Sequence, residues 1–586
     1  MSKLVYDILT WPTGTRAVIT DLLIYYFLYR FTRWLLKPLW FSSPFRNIPG
    51  PPPSSWFMGN LNQLFNPKGL EFHQHLSDRF GGMVKTYGFF GDEQLYVSDP
   101  LALQSIIVKD QDAFEETEVF IETNRVIFGP GLVATTGDVH KRQRKIVAPV
   151  FAVPQLKALM PVFYDVAEKW QRNRDMSEWM SRVALETIGR TVLGYSFDPL
   201  DSPHNNPYTS AIKDLIPTLF SLSLLRQFAP FFAHLGSPSF RRWLVEQTPH
   251  KAIQKVKDMS DVMHHTAQNI LNEKREILHR EQTENKSKDI ISVLLRVNDQ
   301  ARGAEEKLTD AELTGQMTVL IFGAQDTTSS VLSRVLYLLS VHQDVQDKVR
   351  EEIRAAVAAH GVYGESEGTS SPRLSYDEVI ALPWLESVIK ETLRLYPPVP
   401  FVRRTAIKDT TLLYSSSHPS ESASLSDPSL SPIQHIRVPE GTTLFVGIAN
   451  ANRIASKSVW GSDADDWKPQ RWLEVDHQDQ SSEEDIKGDN GETSKVRMKL
   501  PGIYHGMLSF LGGGRSCIGY KFAQIEMKIL LITLLLRFKF TPSPKSEILQ
   551  EEIVWNLSQI ISPSVRRNDV TVTEEKGLPL GVEVLS

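Results

Sequence analysis

The chain contains a single cysteine, Cys517, and its surroundings have the composition of a metal-binding loop. Three glycines and Arg515 precede it, and an apolar segment with helical periodicity follows. Glycines permit a tight turn that directs backbone N–H groups at a sulfur atom, and these groups together with a helix N-terminus stabilise a thiolate ligand. One cysteine excludes an intramolecular disulfide and a zinc site with several thiolates. The alternative is that Cys517 is a small buried apolar residue.

Two further pairs of residues have a spacing that places them on one face of a helix. Glu391 and Arg394 are three residues apart and can form an ion pair, although such a pair is often only a surface feature. Gly323 and Thr327 are four residues apart, so the missing side chain of the glycine leaves space beside the threonine hydroxyl. The alternative for Thr327 is a hydrogen bond back to a carbonyl one turn earlier.

The segment around Cys517 resembles the cysteine loop of the cytochrome P450 family, Phe-x-x-Gly-x-Arg-x-Cys-x-Gly. Every fixed position matches, and these positions are Phe510, Gly513, Arg515, Cys517 and Gly519. Glu391 and Arg394 match the family's Glu-x-x-Arg. The resemblance implies a single, mainly α-helical domain with small β-sheets, in which Cys517 is the axial ligand of the iron of heme b. It also implies a monooxygenase that inserts one atom of dioxygen into a lipophilic substrate.

The same resemblance assigns roles to other residues. Arg471 would complete a buried network with Glu391 and Arg394, and Asp326 with Thr327 would relay protons to bound oxygen. The cations that would bind the heme propionates are Arg515, Arg404, Arg144 and His140. Three positions depart from the family's usual residue: Ala324 and His140 stand where Gly and Trp are common, and Gln470 where Glu is common.

Electrons would come from NADPH through cytochrome P450 reductase, with cytochrome b5 as an optional second donor, since the chain has no flavin or dinucleotide motif. Segments 399–402 and 559–562 would line the substrate pocket, and their apolar character favours a terpenoid, steroid, fatty acid or aromatic. The pattern is similar to fungal members, which implies secondary-metabolite or xenobiotic oxidation. Two rivals remain: an isomerase or dehydratase of this fold that needs no reductase, and a non-catalytic heme-binding protein.

An apolar and aromatic segment at residues 17–36 predicts a membrane anchor. Asp21, Arg30 and Arg33 weaken a spanning helix, so an interfacial helix is the alternative. The flank from residue 30 to residue 70 carries basic residues and no acidic ones, which predicts that it lies in the cytosol. Together with the resemblance, this predicts an anchor and flank at 1–46 in the endoplasmic reticulum membrane and a cytosolic catalytic domain at 47–586.

Composition limits the other functions. With 41% apolar residues, 23% charged residues and a formal net charge of -5, the chain is an ordinary globular protein and lacks the basic excess of a nucleic-acid binder. Three segments poor in apolar residues predict flexible surface insertions, at 359–372, 414–431 and 476–495.

Two helices position the predicted chemistry. Thr309 and Glu312 have the spacing of a capping box and predict the start of an apolar helix of more than 30 residues that contains Thr327. On a second predicted helix, His140 and Arg144 share the face toward the heme. Lys141, Arg142 and Lys145 fall on the other side, where they form either a solvated basic face or a surface that steers an acidic reductase.

Overall fold

The structure is a computed structural model. The residues that it describes are 43–169, 175–197, 200, 207–280, 288–301, 303, 306–360, 373–415, 433–473, 500–543, 551–567 and 573–585. The chain divides between Ile48 and Pro49, and the description concerns the unit that begins at Pro49. The predicted anchor at 17–36 and the insertion at 476–495 lie outside the described residues, as do most of the other two insertions.

Helices make up most of the described chain. The first half contains α1 Leu61–Leu64, α2 Leu70–Phe80, α3 Pro100–Gln104, α4 Glu118–Phe128, α5 Gly137–Val147, α6 Val153–Ala167, α7 Met176–Ile188, α8 Pro207–Ser221, α9 Ala229–Ala233 and α10 Pro238–Gln247. The second half contains α11 Lys251–Arg280, α12 Ile290–Gln300, α13 Asp310–Val341, α14 Gln343–His360, α15 Tyr376–Ile380, α16 Pro383–Leu395, α17 Ile448–Trp460 and α18 Tyr520–Arg537.

The strands form small sheets. They are β1 Met83–Tyr87, β2 Glu93–Val97, β3 Phe114–Glu115, β4 Phe401–Ala406, β5 Thr410–Ser415, β6 Ile433–Val438, β7 Thr443–Gly447, β8 Phe538–Pro542, β9 Glu551–Ser558, β10 Ile560–Arg567, β11 Thr573–Lys576 and β12 Leu580–Val584. The largest sheet has the order β1-β2-β7-β4-β3, and the other described sheets are β11-β10-β9, β12-β8 and β5-β6. In the largest sheet β2 and β7 pair in parallel, whereas the other pairs are antiparallel.

Helix α13 crosses the main hydrophobic core and confirms the predicted long helix. Thr309 caps it, and Glu312 completes the capping box by accepting a hydrogen bond from the Thr309 backbone at 2.9 Å. The helix is 32 residues long and is buried on almost every side, because it packs between the neighbouring helices and the β8 and β10 strands. A helix that is apolar all round is stable only in such an interior position.

The predicted fold class is confirmed for the catalytic domain, which is mainly α with small β-sheets. Within the residues that the structure describes, no single helix has both the length and the apolar character needed to span a membrane. Two pairs of helices, each bent at a short break, meet both criteria when the two helices are taken together. Two predicted boundaries were wrong: the insertion placed at 359–372 begins inside α14, which ends at His360, and the insertion placed at 414–431 begins inside β5, where Tyr414 and Ser415 pair with Gln434 and Ile433. The cross-strand partner lies beyond the Ser/Pro-rich segment, so local composition did not indicate the strand.

Candidate active site

The segment before α18 forms a tight loop that presents Cys517. The Cys517 backbone N–H donates to the Phe510 carbonyl at 2.9 Å, and the Ser516 N–H donates to the Gly513 carbonyl at 3.2 Å. Two residues after the cysteine, Gly519 is the N-cap of α18. The cysteine therefore lies at the N-terminal end of a helix, where the backbone dipoles favour a negative charge.

Gly513 is required by the loop for two reasons. Its φ of 61° lies in the left-handed region, where a side chain is strained. A Cβ atom at this position would lie 2.0 Å from the carbonyl oxygen of Ile107. The loop is further fixed by a hydrogen bond of 2.8 Å from the Gly514 N–H to the side chain of Gln111.

The Cys517 side chain is exposed, yet the surrounding protein encloses it closely enough to change its acidity. Burial raises the pKa of the thiol, while the Gly519 N–H and the Arg144 guanidinium act in the opposite direction. A free thiol here is therefore protonated at neutral pH, and a bound metal cation would favour the thiolate. An accessible sulfur with a donating N–H and a nearby cation has the character of an axial ligand.

Helix α5 contributes two of the predicted cations. Arg144 donates to the carbonyl and the hydroxyl of Ser516, at 2.7 and 2.9 Å, and so lies against the cysteine loop. His140 lies one turn earlier and is buried. Burial lowers the pKa of His140 to about 4, and the charges of Arg515 and Arg144 act in the same direction. His140 is therefore neutral at pH 7 and can donate one hydrogen bond.

Two acidic residues that no sequence motif indicates form ion pairs with the other predicted cations. Arg515 pairs with Glu115 at 2.5 Å and also donates to the Thr135 carbonyl at 3.0 Å. Arg404 pairs with Glu116 at 2.8 Å. Glu115 ends strand β3, which pairs with β4 next to Arg404. The only sequence signal was two adjacent acidic residues far from either partner, and such pairs are common on surfaces.

The donor set fits a heme. An accessible thiol lies in one loop with Arg515, and Arg144 contacts that loop, while His140 is influenced by both of these charges. At Gly323 and Gly519 a Cβ atom would meet no protein atom within 4 Å, so both glycines border open space. A porphyrin that carries two propionates requires this combination of one axial ligand and several cations.

Glu391, Arg394 and Arg471 form one buried network. Arg394 donates two bonds of 2.8 Å to the two oxygens of Glu391, and Arg471 donates a bond of 3.1 Å to the same carboxylate. The Lys468 N–H and the Trp472 indole donate to it as well, at 2.9 and 3.0 Å. The Glu391 carboxylate therefore connects α16 to the segment around residues 468–472, and both of its oxygens accept hydrogen bonds.

Thr327 and Gly323 lie where α13 borders open space. The Thr327 hydroxyl donates to the Gly323 carbonyl at 2.7 Å, which is the bond back to the preceding turn that the sequence left as an alternative. The bond fixes the rotamer of the hydroxyl without using its acceptor lone pairs. The oxygen of Thr327 can therefore still accept a hydrogen bond from a group placed beside Gly323.

Asp326 lines a cavity of about 140 Å³ whose wall combines serines with apolar side chains. Its wall contains seven serines, which are Ser177, Ser181, Ser329, Ser330, Ser333, Ser558 and Ser562. Lys576 from β11 and Asp175 and Glu178 from the start of α7 line it too. Burial raises the pKa of Asp326 to about 6, and Lys576 opposes the shift. The carboxyl can therefore gain and lose a proton near neutral pH.

This pKa predicts a pH-dependent stability difference for Asp326→Asn. Below pH 4 the parent carboxyl is neutral in both the folded and the unfolded chain. Between pH 4 and pH 6 the unfolded chain loses this proton while the folded chain keeps it, so the parent loses stability over this range, and above pH 6 the folded chain carries a desolvated charge. The variant avoids this cost, so we expect it to be more stable than the parent by about 2 kcal/mol at pH 8, with the gain vanishing near pH 4. Urea unfolding at both pH values measures the difference.

Asp310→Asn is the matched control for this experiment. Arg275 lowers the pKa of Asp310, so removal of that charge should reduce stability at pH 8 and have less effect near pH 4. A gain for Asp326→Asn that is equal at all pH values would contradict the raised pKa.

The structure separates the three cations of the basic face. Lys141 and Lys145 are exposed, and Lys141 lies 3.5 Å from Asp112. Arg142 instead forms an ion pair with Glu312 and donates to the Lys307 carbonyl at 2.6 Å. The prediction that Arg142 belongs to an exposed steering surface was therefore wrong. The helical wheel gave the correct side of α5, but it could not show that the start of α13 packs there.

Comparison with known proteins identifies the family. The Cytochrome P450 family model matches residues 49–413 and 428–565. Cytochrome P450 monooxygenase 91 of Postia placenta is 39% identical over 549 residues, which cover 91% of this chain and 94% of that protein. The ganoderic acid synthetase CYP5150L8 of Ganoderma lucidum is 35% identical over 561 residues, covering 93% and 94%.

A third relative, cytochrome P450 monooxygenase 212 of Postia placenta, is 36% identical over 548 residues, covering 90% of this chain and 92% of that protein. The family match extends over the cysteine loop, the long helix and the Glu391 network. Membership of this family confirms the predicted monooxygenase activity. This chain belongs to the cytochrome P450 family of heme-iron monooxygenases.

Proposed function

We propose that this monooxygenase binds heme b through Cys517 and hydroxylates a lipophilic secondary metabolite or xenobiotic, with electrons from NADPH through cytochrome P450 reductase. The observation that carries the proposal is the accessible thiol of Cys517 in a loop bordered by Arg144, Arg515 and His140. When bound, the heme supplies the one-electron and dioxygen chemistry, and the protein supplies ligation, orientation and protons.

Cys517 would hold the iron, and the cations would bind the propionates. Arg515 and Arg404 are already oriented by Glu115 and Glu116, so a propionate would join existing ion pairs. His140 is neutral and would donate a hydrogen bond rather than a charge. Phe510 supports the loop from one side, because its carbonyl accepts from the Cys517 N–H and its ring packs 5.4 Å from that of Tyr504.

Asp326 and Thr327 would share the delivery of protons. Asp326 faces the serine-lined cavity, whereas Thr327 borders the open groove at Gly323. The Asp326 carboxyl, with a pKa near 6, can take up a proton from the serine-lined cavity. The Thr327 hydroxyl can position a proton in the groove beside Gly323.

Replacing Thr327 with alanine tests this assignment. In a reductase-coupled preparation we expect product formation to fall roughly 10²-fold while NADPH consumption continues and yields peroxide or water. Thr314→Ala is the matched control, because Thr314 also donates to the carbonyl one turn earlier, at 2.9 Å, in the same helix. Equal ratios of product to NADPH in the two variants would remove Thr327 from the mechanism.

A reductase-independent isomerase or dehydratase is the second candidate function. Such chemistry on a hydroperoxide does not need the acid–alcohol pair, whereas Asp326 has an environment that tunes it for proton transfer. The test is NADPH consumption in the presence of reductase, followed with product analysis. We expect consumption coupled to a hydroxylated product, and turnover of a hydroperoxide without NADPH would favour the rival.

The two predicted pocket segments and one relative support the proposed substrate class. Segment 559–562 contributes Ile560, Ile561 and Ser562 to the wall of the Asp326 cavity, and the Ile561 N–H donates to Pro398, next to the other predicted segment. These walls combine apolar side chains with serines. One relative is named a ganoderic acid synthetase, and this supports a role in the oxidation of a terpenoid-like secondary metabolite.

Lys141 and Lys145 are proposed to steer the reductase. Both are exposed on α5, the helix whose Arg144 contacts the cysteine loop. Reversing both to Glu should slow the first electron transfer about tenfold at low salt, and the difference should fade at high salt because screening weakens exposed charges. Stopped-flow reduction measures the rate. A Lys251→Glu, Lys255→Glu variant on α11 is the control, and a salt-independent rate equal to the parent's would contradict the assignment.

We also propose that the enzyme lies at the endoplasmic reticulum membrane, with its catalytic domain in the cytosol. Supporting this, the exposed rings of Trp56 and Phe57 contact the exposed ring of Phe90 near the start of the catalytic unit, and the half-buried Phe89 contacts the exposed Phe228. Clustered exposed aromatic residues favour a lipid interface. Fractionation of the expressed full chain into membrane and soluble parts tests the location.

Cytochrome b5 remains a proposed second electron donor.

A further inference from the structure

Arg403 and its neighbour Arg404 have different environments. Residues alternate along β4, so the two side chains lie on opposite faces of the strand. Arg404 is buried and pairs with Glu116. The Arg403 guanidinium instead lies 5.3 Å from the centre of the Phe65 ring and donates to the side-chain oxygen of Gln227 at 2.8 Å. An amide is a neutral partner, so the charge of Arg403 is not balanced by this bond.

Arg226 brings a second guanidinium to the same place. It precedes Gln227 in a short 3-10 helix, Leu225–Phe228, and the amide of Gln227 is itself fixed by a bond of 2.8 Å to the Ser223 carbonyl. The Nε atom of Arg226 is buried and has no hydrogen-bond acceptor. Among the described residues, no carboxylate forms an ion pair with Arg226 or Arg403.

The electrostatics are unfavourable without an anion. Burial lowers the pKa of both arginines to about 10, and the charge of Arg226 lowers that of Arg403 further. Glu116 acts in the other direction on Arg403, but it is paired with Arg404. Both guanidiniums stay protonated at pH 7, so two like charges share an enclosed site. By contrast, the buried Arg394 has Glu391 as its carboxylate partner.

We propose that Arg226 and Arg403 bind the carboxylate of an amphipathic, lipophilic acid that is the substrate of this enzyme. The inference rests on the proposed function, which supplies the lipophilic character of the substrate, and it adds that the substrate carries a carboxylate. The adjoining side chains are apolar: Phe65, Phe401 and Leu224 pack beside one hydrophobic cluster. Two guanidiniums beside apolar walls match a carboxylate on a hydrocarbon frame, because planar guanidinium groups bind carboxylates with paired hydrogen bonds.

The position of the site relates it to the reaction. Arg403 is flanked in β4 by Val402, in a segment assigned to the substrate pocket, and by Arg404, assigned to a propionate, and its own side chain lies on the opposite face of the strand from both. A substrate anchored here by its carboxylate would be oxidised at a carbon remote from that group. The acid should therefore bind more tightly than its methyl ester, which has the same body and no charge.

The test is calorimetric binding to the detergent-solubilised holoenzyme of three acids, hexadecanoic, abietic and oleanolic acid, each with its own methyl ester. These probes differ in the shape of the body and share the carboxylate. We expect at least one acid to bind about 10- to 100-fold more tightly than its ester. The variants Arg226→Gln and Arg403→Gln should each remove most of that preference, and Arg403→Lys should retain part of it.

Arg437→Gln, which alters an exposed arginine on β6, is the control and should leave the preference unchanged. The reduced carbon monoxide spectrum of each variant shows whether it is folded with heme bound. The inference is overturned if no acid is preferred by the parent, or if the preference survives both Gln variants. Hydroxylation coupled to NADPH is measured separately, so an active enzyme without acid preference refutes this site and leaves the proposed function intact.

Discussion

Cys517→Ser should abolish the red-shifted Soret band of the reduced carbon monoxide complex and reduce NADPH-coupled product formation to background. The reason is that a thiolate donates more electron density to iron than a hydroxyl does, and the chain has no second cysteine to replace it. The serine is nearly isosteric, so the bond from the N–H of residue 517 to the Phe510 carbonyl and the bond from the Ser516 N–H to the Gly513 carbonyl should persist. Absorbance spectra of the dithionite-reduced protein with carbon monoxide measure the effect.

Ser516→Ala is the control for this variant. It removes the hydroxyl that accepts from Arg144 at 2.9 Å and leaves the bond of 2.7 Å to the Ser516 carbonyl. This change touches the same loop without changing the ligand, so the band should remain in place. Survival of the band in Cys517→Ser would show that another group is the axial ligand.

Glu391→Gln should cost about 3–5 kcal/mol of the free energy of unfolding, because it leaves Arg394 and Arg471 buried without their carboxylate. Glutamine has the same shape, so the loss reports charge and hydrogen bonding rather than a cavity. Domains are stable by only about 5–15 kcal/mol, so a loss of this size should also lower the yield of folded holoenzyme. Urea unfolding followed by tryptophan fluorescence measures it.

Asp261→Asn is the matched control for the loss of a carboxylate charge. Asp261 pairs with Arg242 at 2.7 Å, but both side chains are nearly half exposed, so its removal should cost less than about 1 kcal/mol. If Glu391→Gln were no more damaging than Asp261→Asn, the network would not stabilise the core in the way that its burial indicates.

Features encoded within a short stretch of sequence were predicted best. The capping box at Thr309 and Glu312 and the turn that needs Gly513 depend on residues a few positions apart, so their spacing alone indicates the geometry. The sequence also placed Arg144 on the correct face of its helix, because helical periodicity is regular.

Contacts between distant segments could not be predicted in this way. The ion pair of Arg142 with Glu312 joins residues 170 positions apart, and the bond of Arg403 to Gln227 joins residues 176 apart. Glu115 and Glu116 orient two propionate cations, yet nothing in their neighbourhood distinguishes them from surface acids. Such residues become visible only when the fold shows which charges are buried together.

The measurement that tests the central claim most directly is turnover under ¹⁸O₂ with NADPH and reductase, followed by mass spectrometry of the product. A heme-thiolate monooxygenase with Cys517 as ligand should place one labelled oxygen atom in each product molecule. Label should be absent when the gas is unlabelled and the water is enriched, and product should be absent with Cys517→Ser. Product without NADPH, or product oxygen that comes from water or from a hydroperoxide, would contradict the account.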